Sequence, residues 1–287
     1  MLIKGVRIID GTGAEARKAD IFISGDRISA IGDVSGRKDT ETIDGVGLTA
    51  APGFISVDTD IDHTLALLER PEQTDLLAQG ITTVIGGHAG VSLAPILRGD
   101  LHLLGKWTDP YCVNVGWNTV GEFFDMLARR RLGVNFGTLT GFGTVRQEIV
   151  RGEFRDASDP ERRAIERLLE ESLRDGSFGV SFDLDSPAER RVPYDELRSI
   201  ASVIARERGI AVMRPRDGGR TLTDSLREIG RLANECSARI CIAPPGALDT
   251  AAAYASAAEK FAGEGSESVF LSASPFQRRL VPISAFL

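Results

Sequence analysis

Ten polar residues fall where apolar runs of this chain end. They are Asp58, Asp60, Asp62, His63, His88, Asp183, Asp185, Arg214, Arg216 and Asp217. Carboxylates two apart in Asp58-Thr59-Asp60, with His63 or His88 nearby, are the donor types that hold a hard divalent ion such as magnesium or manganese. Arginines facing such carboxylates offer a second outcome, in which acids and bases neutralise each other without a metal. His88, Asp183, Arg214 and Arg216 are the candidate substrate-binding groups, and Asp58, Asp60 and His63 the alternative metal set. His88 lies in the Gly-rich stretch Gly86–Gly90, where it could also serve only the turn; His63 follows the first strand on a loop that could lie outside the pocket. Ser92 and Ser181 have no His and Asp pattern suited to nucleophilic catalysis. Gly137–Gly143 is Gly-rich but lacks the lysine of a phosphate loop. His102 has no partner pattern.

The elements that must position these groups change character near residue 50. Short β-type runs, Gly5–Gly11, Ala19–Ile28 and Glu41–Asp44, are split by Asp-Gly and Gly-Asp turns, so residues 1–50 are expected to form a small antiparallel β domain. From Ala51 onward, apolar strands alternate with amphipathic helices. Strands are expected at Gly53–Asp60, Thr82–Gly87, Asn135–Gly141, Ser177–Leu184, Ile210–Arg214, Arg239–Ala243 and Ser268–Ser272. Near-continuous apolar runs suit parallel strands buried on both faces. Thr119 with Glu122 matches a capping box, and Asp159-Pro160 reads as an N-cap followed by proline at the first helical position. Ile165, Leu168, Leu169 and Leu173 form one apolar stripe.

The alternation predicts an α/β fold over residues 51–287, a (β/α) TIM-type barrel. A closed barrel of this kind has eight strands, and the pattern supplies seven before Leu287. The eighth unit is then expected from elsewhere, or the architecture is open, or the sequence is a fragment. An uncovered seventh-strand edge near Val269–Ser272 would invite a homo-oligomeric or partner chain.

A net charge of −7 argues against nucleic acid as a main partner, since phosphate binding needs a basic surface. No run of about 18 apolar residues predicts a membrane span, and the start shows no secretory pattern. Three scattered cysteines, Cys112, Cys236 and Cys241, fit a reducing cytoplasm and core packing rather than a disulfide framework.

Several stretches together carry a family resemblance. They are Gly5–Gly11 with Asp26–Gly32, Ala51-Pro52-Gly53-Phe54-Ile55, Gln79–Val84, Gly90–Pro95, Gly141–Arg146 and Gly176–Ser181. In these the chain resembles the front portion of the D-aminoacylase (N-acyl-D-amino-acid deacylase) branch of the amidohydrolase superfamily. The resemblance implies a metal-dependent hydrolase barrel, with zinc at the strand ends, acting on a non-peptide carbon–nitrogen bond of a small acylated amino acid. It also implies where the zinc ligands should stand. The first histidine pair falls on Asp58 and Asp60, the bridging cysteine on Ala89, a later histidine on Arg214, and another near Ala243-Pro244-Pro245. The usual Gly-His-Gly-Thr turn reads Gly141-Phe142-Gly143-Thr144. Zinc needs imidazole, thiolate or carboxylate donors at about 2.0–2.3 Å, which alanine cannot supply, and a permanent guanidinium cation repels it. The expectation is therefore a protein that has lost zinc hydrolysis, a pseudoenzyme or binding subunit. The alternative is a hydrolase with a rebuilt carboxylate metal site.

Overall fold

In a computed structural model the chain forms two compact units, Met1–Phe54 and Ile55–Leu287. The structure describes residues 1–34, 41–98, 101, 104–105, 108–109, 113–151, 155–216, 222–244 and 268–271. His102, Cys112, Asp217, Pro245 and Ser272 lie outside them.

The first unit is a five-stranded sheet built on β1 (Leu2–Ile8). β2 (Arg17–Ser24) pairs antiparallel with β1, and β3 (Arg27–Gly32) antiparallel with β2. β4 (Thr42–Asp44) and β5 (Thr49–Ala50) both pair with β1 in parallel. The sheet is therefore mixed, not antiparallel throughout as the turn signals suggested. The hairpin turn at Gly25-Asp26 fixes only β2 and β3; the chain then crosses to the other edge of β1, and a crossover leaves strands parallel. Val6, Ile8 and Ile21 form its small core.

The second unit alternates strands and helices. After β6 (Phe54–Ser56) come the short helices α1 (Ala66–Glu69) and α2 (Thr74–Leu77), then β7 (Ile81–Gly86) and α3 (Val120–Ala128). β8 (Asn135–Thr138) and β9 (Thr140–Gly141) are one strand interrupted at Leu139. Next come α4 (Phe142–Val150), α5 (Asp159–Arg174), β10 (Gly179–Asp183), α6 (Tyr194–Arg206), β11 (Ile210–Arg214), α7 (Leu222–Cys236), β12 (Arg239–Ile242) and β13 (Val269–Leu271). The strands lie in the orders β6-β7-β8 and β9-β10-β11-β12-β13. β7–β8 and every adjacent pair from β9 to β13 run parallel. Phe178 N donates to Thr138 O, which carries the layer across the break between β8 and β9.

Helix termini follow local chemistry. Thr119 and Glu122 form the expected capping box at α3. At α5 the N-cap is Ser158, one residue before the expected Asp159. The Glu161 carboxylate accepts from Ser158 N at 2.8 Å, which draws the boundary back and leaves Pro160 in the first turn, where its missing N–H costs nothing. Two apolar clusters hold the unit: one packs α4–α7 on β10–β12, the other packs Leu93, Trp117 and Phe123 around Val84.

β6 departs from expectation. It spans three residues rather than eight, and Phe54, Ile55 and Val57 are 61%, 64% and 50% exposed rather than buried. Among the described residues β6 is the edge of its sheet, with no strand paired on its other side. Beyond Ser56 the chain bends, and Thr64 N closes a turn on Asp60 O.

Candidate functional site at the strand ends

In parallel α/β sheets, ligand sites form beyond the carboxyl ends of strands. Here those ends carry Asp58–His63 after β6, His88 after β7, Asp183 closing β10 and Arg214 closing β11.

The turn Gly87–Gly90 is the hub. Gly87, Ala89 and Gly90 have φ of 75°, 51° and 72°, a left-handed path that a glycine takes without penalty and an alanine takes with strain. The turn is pinned at both ends. The Asp62 carboxylate accepts from Gly87 N at 2.5 Å, and Ser181 Oγ accepts from Gly90 N at 3.1 Å while donating to Gly87 O. Ser92 is also spent on backbone, donating to Ala94 O and accepting from Gly141 N. Both serines are scaffold, which explains why neither sits in a nucleophile pattern.

His63 is 1% exposed. Its Nε2 faces Val91 O at 3.2 Å and its Nδ1 faces Asp60 Oδ1 at 3.3 Å. Burial opposes its charge. The Asp62 carboxylate, Asp60 and the Val91 carbonyl outweigh that opposition and push its pKa up to about 9. His63 is thus an imidazolium with an acceptor at each nitrogen. His88 behaves oppositely: burial holds its pKa below the usual imidazole range, against the pull of Asp58 and Asp62, so the ring is neutral. His88 Nε2 and Asp62 Oδ1 are buried and have no hydrogen-bond partner among the described residues. Asp58 and Asp60 are exposed. Cys241 on β12 senses Asp58, which, with burial as the larger cause, raises its thiol pKa.

Asp183 and Arg214 are register partners across β10 and β11, and Arg214 Nη1 donates to Asp183 Oδ2 at 2.9 Å. Asp183 Oδ1 and Arg214 Nε are buried without partners among the described residues. Arg216 is used differently. Its Nε donates to Glu228 at 2.9 Å, and its terminal nitrogens donate to the carbonyls of Glu189, Arg190 and Val192. It clamps the loop after β10, leaving its guanidinium committed to protein.

The sequence reading missed Glu189. It sits in a charged loop that looks solvated, yet it is 2% exposed. Its Oε2 accepts from Asp183 N at 2.9 Å. Its Oε1 fits against Gly90 and Gly143, where a methyl group would stand only 2.0 Å and 2.6 Å from it. Burial, then the Asp183 charge, push the Glu189 pKa up to about 8. The signal that could have found it is the pair of glycines it needs, which lie about fifty and one hundred residues away in sequence.

Zinc coordination needs converging lone pairs. Among the described residues, no group of three or more His, Cys, Asp and Glu is arranged to hold a metal. His63 and Asp60 face each other as an acid–base pair, Ala89 offers a methyl group, and Arg214 places a cation at its strand end. Among the described residues, the donor set does not fit zinc.

Comparison with known proteins supplies the lineage. No family model matches the chain. It is 31% identical over 246 residues to a D-aminoacylase of Alcaligenes xylosoxydans xylosoxydans, covering 84% of this chain and 49% of that protein. It is 34% identical over 244 residues to an N-acyl-D-aspartate deacylase of the same organism, covering 83% and 48%. A D-aminoacylase crystal structure, said to define a novel subset of amidohydrolases, superposes with a TM-score of 0.84 at 27% identity, over 96% of this chain and 58% of that one. An N-acyl-D-glutamate deacylase from Bordetella bronchiseptica, complexed with zinc and a phosphonate inhibitor, gives 0.82 at 27% identity with the same coverage. The chain spans about half the length of the curated relatives it matches. No helix among the described residues is long and apolar enough to cross a membrane. In sequence and in fold, over most of its own length, the chain resembles the D-aminoacylase branch of the amidohydrolases.

Proposed function

We propose that this chain is an amidohydrolase-type protein that binds a small acylated amino acid at its strand ends without zinc-dependent hydrolysis. Residues 51–287 are read as part of a β/α barrel, and residues 1–50 as an accessory β domain. The observation that carries the reading is the Asp183–Arg214 pair. Where the resemblance expects a metal-binding histidine stands a guanidinium already bound to a carboxylate on the neighbouring strand. A cation fixed there by its own counterion repels a metal and takes up its charge role. The relatives' names supply the substrate class, small N-acylated D-amino acids. That class enters as lineage, because chemistry follows the site rather than the fold.

The reading predicts that the purified 287-residue chain, given zinc, releases no D-amino acid from N-acetyl-D-methionine, N-acetyl-D-aspartate or N-acetyl-D-glutamate above a buffer blank. Turnover that a chelator abolishes and zinc restores would overturn it.

A further inference from the structure

The Asp183–Arg214 pair is incomplete as an ion pair. A guanidinium and a carboxylate that serve only each other pair side by side, with two parallel N–H···O bonds. Among the described residues one bond forms, Nη1 to Oδ2, and Arg214 Nε and Asp183 Oδ1 are left buried without a partner. Each such atom costs on the order of 1–3 kcal/mol unless something meets it. Arg214 Nε is therefore an unmet donor at a strand end, itself buried, in a side chain that is 13% exposed as a whole.

A second pair of orphaned atoms lies on the other flank of the same turn. Among the described residues, Asp62 Oδ1 and His88 Nε2 are buried without a hydrogen-bond partner, in residues 1% and 7% exposed. The turn connects both flanks: Gly87 N is held by Asp62, and Gly90 lies against Asp183 N. The orphans differ in kind. Arg214 Nε must donate, Asp62 Oδ1 must accept, and neutral His88 Nε2 does either according to tautomer.

We infer that Arg214 anchors the carboxylate of a small acylated amino acid, with Asp183 holding its guanidinium in place, while Asp62 and His88 meet the ligand's amide. The ligand carboxylate accepts from Arg214 Nε, the amide N–H donates to Asp62 Oδ1, and the acyl oxygen accepts from His88. Glu189 supports the polarity. It is the other carboxyl packed at the end of β10, and with its pKa raised to about 8 it is largely uncharged at neutral pH, so it does not cancel Arg214. Arg216 cannot take this role, since its donors are bound to Glu228 and the loop carbonyls. The inference rests on the reading of the strand ends as a ligand site and adds which group of the ligand is recognised, and by what.

Isothermal titration of the full chain with N-acetylglycine and with uncharged N-acetylglycinamide tests it. Binding of N-acetylglycine at least about tenfold tighter than the amide is expected, as for loss of a charge-assisted bond. Arg214→Lys keeps the charge but loses the planar fork, and it is expected to erase most of that preference. Equal affinities, binding of neither probe, or full preference in Arg214→Lys would overturn the proposal. If Arg214→Lys fails to fold, the two-probe comparison on the unaltered chain decides alone. Zinc-dependent deacylation would defeat the reading of lost hydrolysis while leaving the carboxylate preference standing. Equal affinities for the two probes in the unaltered chain, without any hydrolysis, would defeat the Arg214 assignment alone.

Discussion

Gly87→Ala is expected to destabilise the second unit by more than about 3 kcal/mol, lowering its melting temperature by roughly 10 °C. Two causes add. Gly87 has φ of +75°, where an L side chain costs about 1–2 kcal/mol. The new methyl carbon would also stand 1.9 Å from the Leu139 carbonyl oxygen and 2.8 Å from Thr138 Oγ1. The first obstacle is backbone, so it yields only if the interrupted β8–β9 strand shifts. That shift strains the bond from Leu139 N to Gly86 O and moves His88 with it. Gly11→Ala is the internal control. Gly11 has φ of +79°, but nothing lies within 4 Å of the added carbon, so only the backbone term of about 1–2 kcal/mol is expected. Thermal melts of both variants check this; equal losses would show that the contact with Leu139 is not limiting.

Glu189→Gln is expected to change the pH dependence of stability rather than to weaken the fold. In the unfolded chain this carboxyl titrates near 4.5, while in the fold its pKa is about 8. Below pH 4.5 both states carry the proton, and the residue contributes no pH dependence. As pH rises, the unfolded chain ionises freely, whereas the folded chain must keep the proton or bury a charge beside Asp183. Stability therefore falls from about pH 4.5 to about pH 8, then levels, with a total on the order of a few kcal/mol. Gln carries no titrating proton and is expected to flatten that stretch, leaving the variant more stable than the parent at pH 8. His63 works in the same direction. Its folded pKa of about 9 lies above its ordinary 6.5, so its contribution is complete below pH 6.5 and lost as pH rises through 9. A residual slope between pH 6.5 and 9 should survive in Glu189→Gln. Denaturant titrations at pH 5, 7 and 8.5 measure both effects; parallel profiles for parent and variant would place the Glu189 carboxyl in water.

Much of the scaffold was legible because it depends on local patterns. All seven expected strand positions carry strands, and the Thr119 capping box formed where its spacing placed it. The apolar stripe of α5 is seated as its periodicity required, with Ile165, Leu169 and Leu173 buried. What failed was non-local. The parallel pairing of β4 and β5 depends on which edge of β1 the chain returns to, and no turn residue encodes that. The exposure of β6 depends on its edge position rather than on its apolar sequence.

The site divides in the same way. Asp183 and Arg214 were legible as strand-end groups, and parallel register then brought them together. Arg216 and Arg214, two residues apart, looked equivalent in sequence. The structure commits the first to the loop carbonyls and leaves the Nε of the second without a partner among the described residues. Glu189 stayed hidden, because burial of a loop carboxylate follows from packing against distant glycines and backbone N–H groups.

Metal content of the purified, untagged chain, measured by mass spectrometry after expression in zinc-supplemented medium and without chelator treatment, tests the loss of zinc chemistry most directly. Zinc at a small fraction of one equivalent is expected, because Arg214 is paired with Asp183 and His63 has an acceptor at each nitrogen. Zinc near one equivalent per chain, retained through dialysis, would contradict it; manganese or magnesium at that level would point instead to a rebuilt carboxylate site around Asp58 and Asp60.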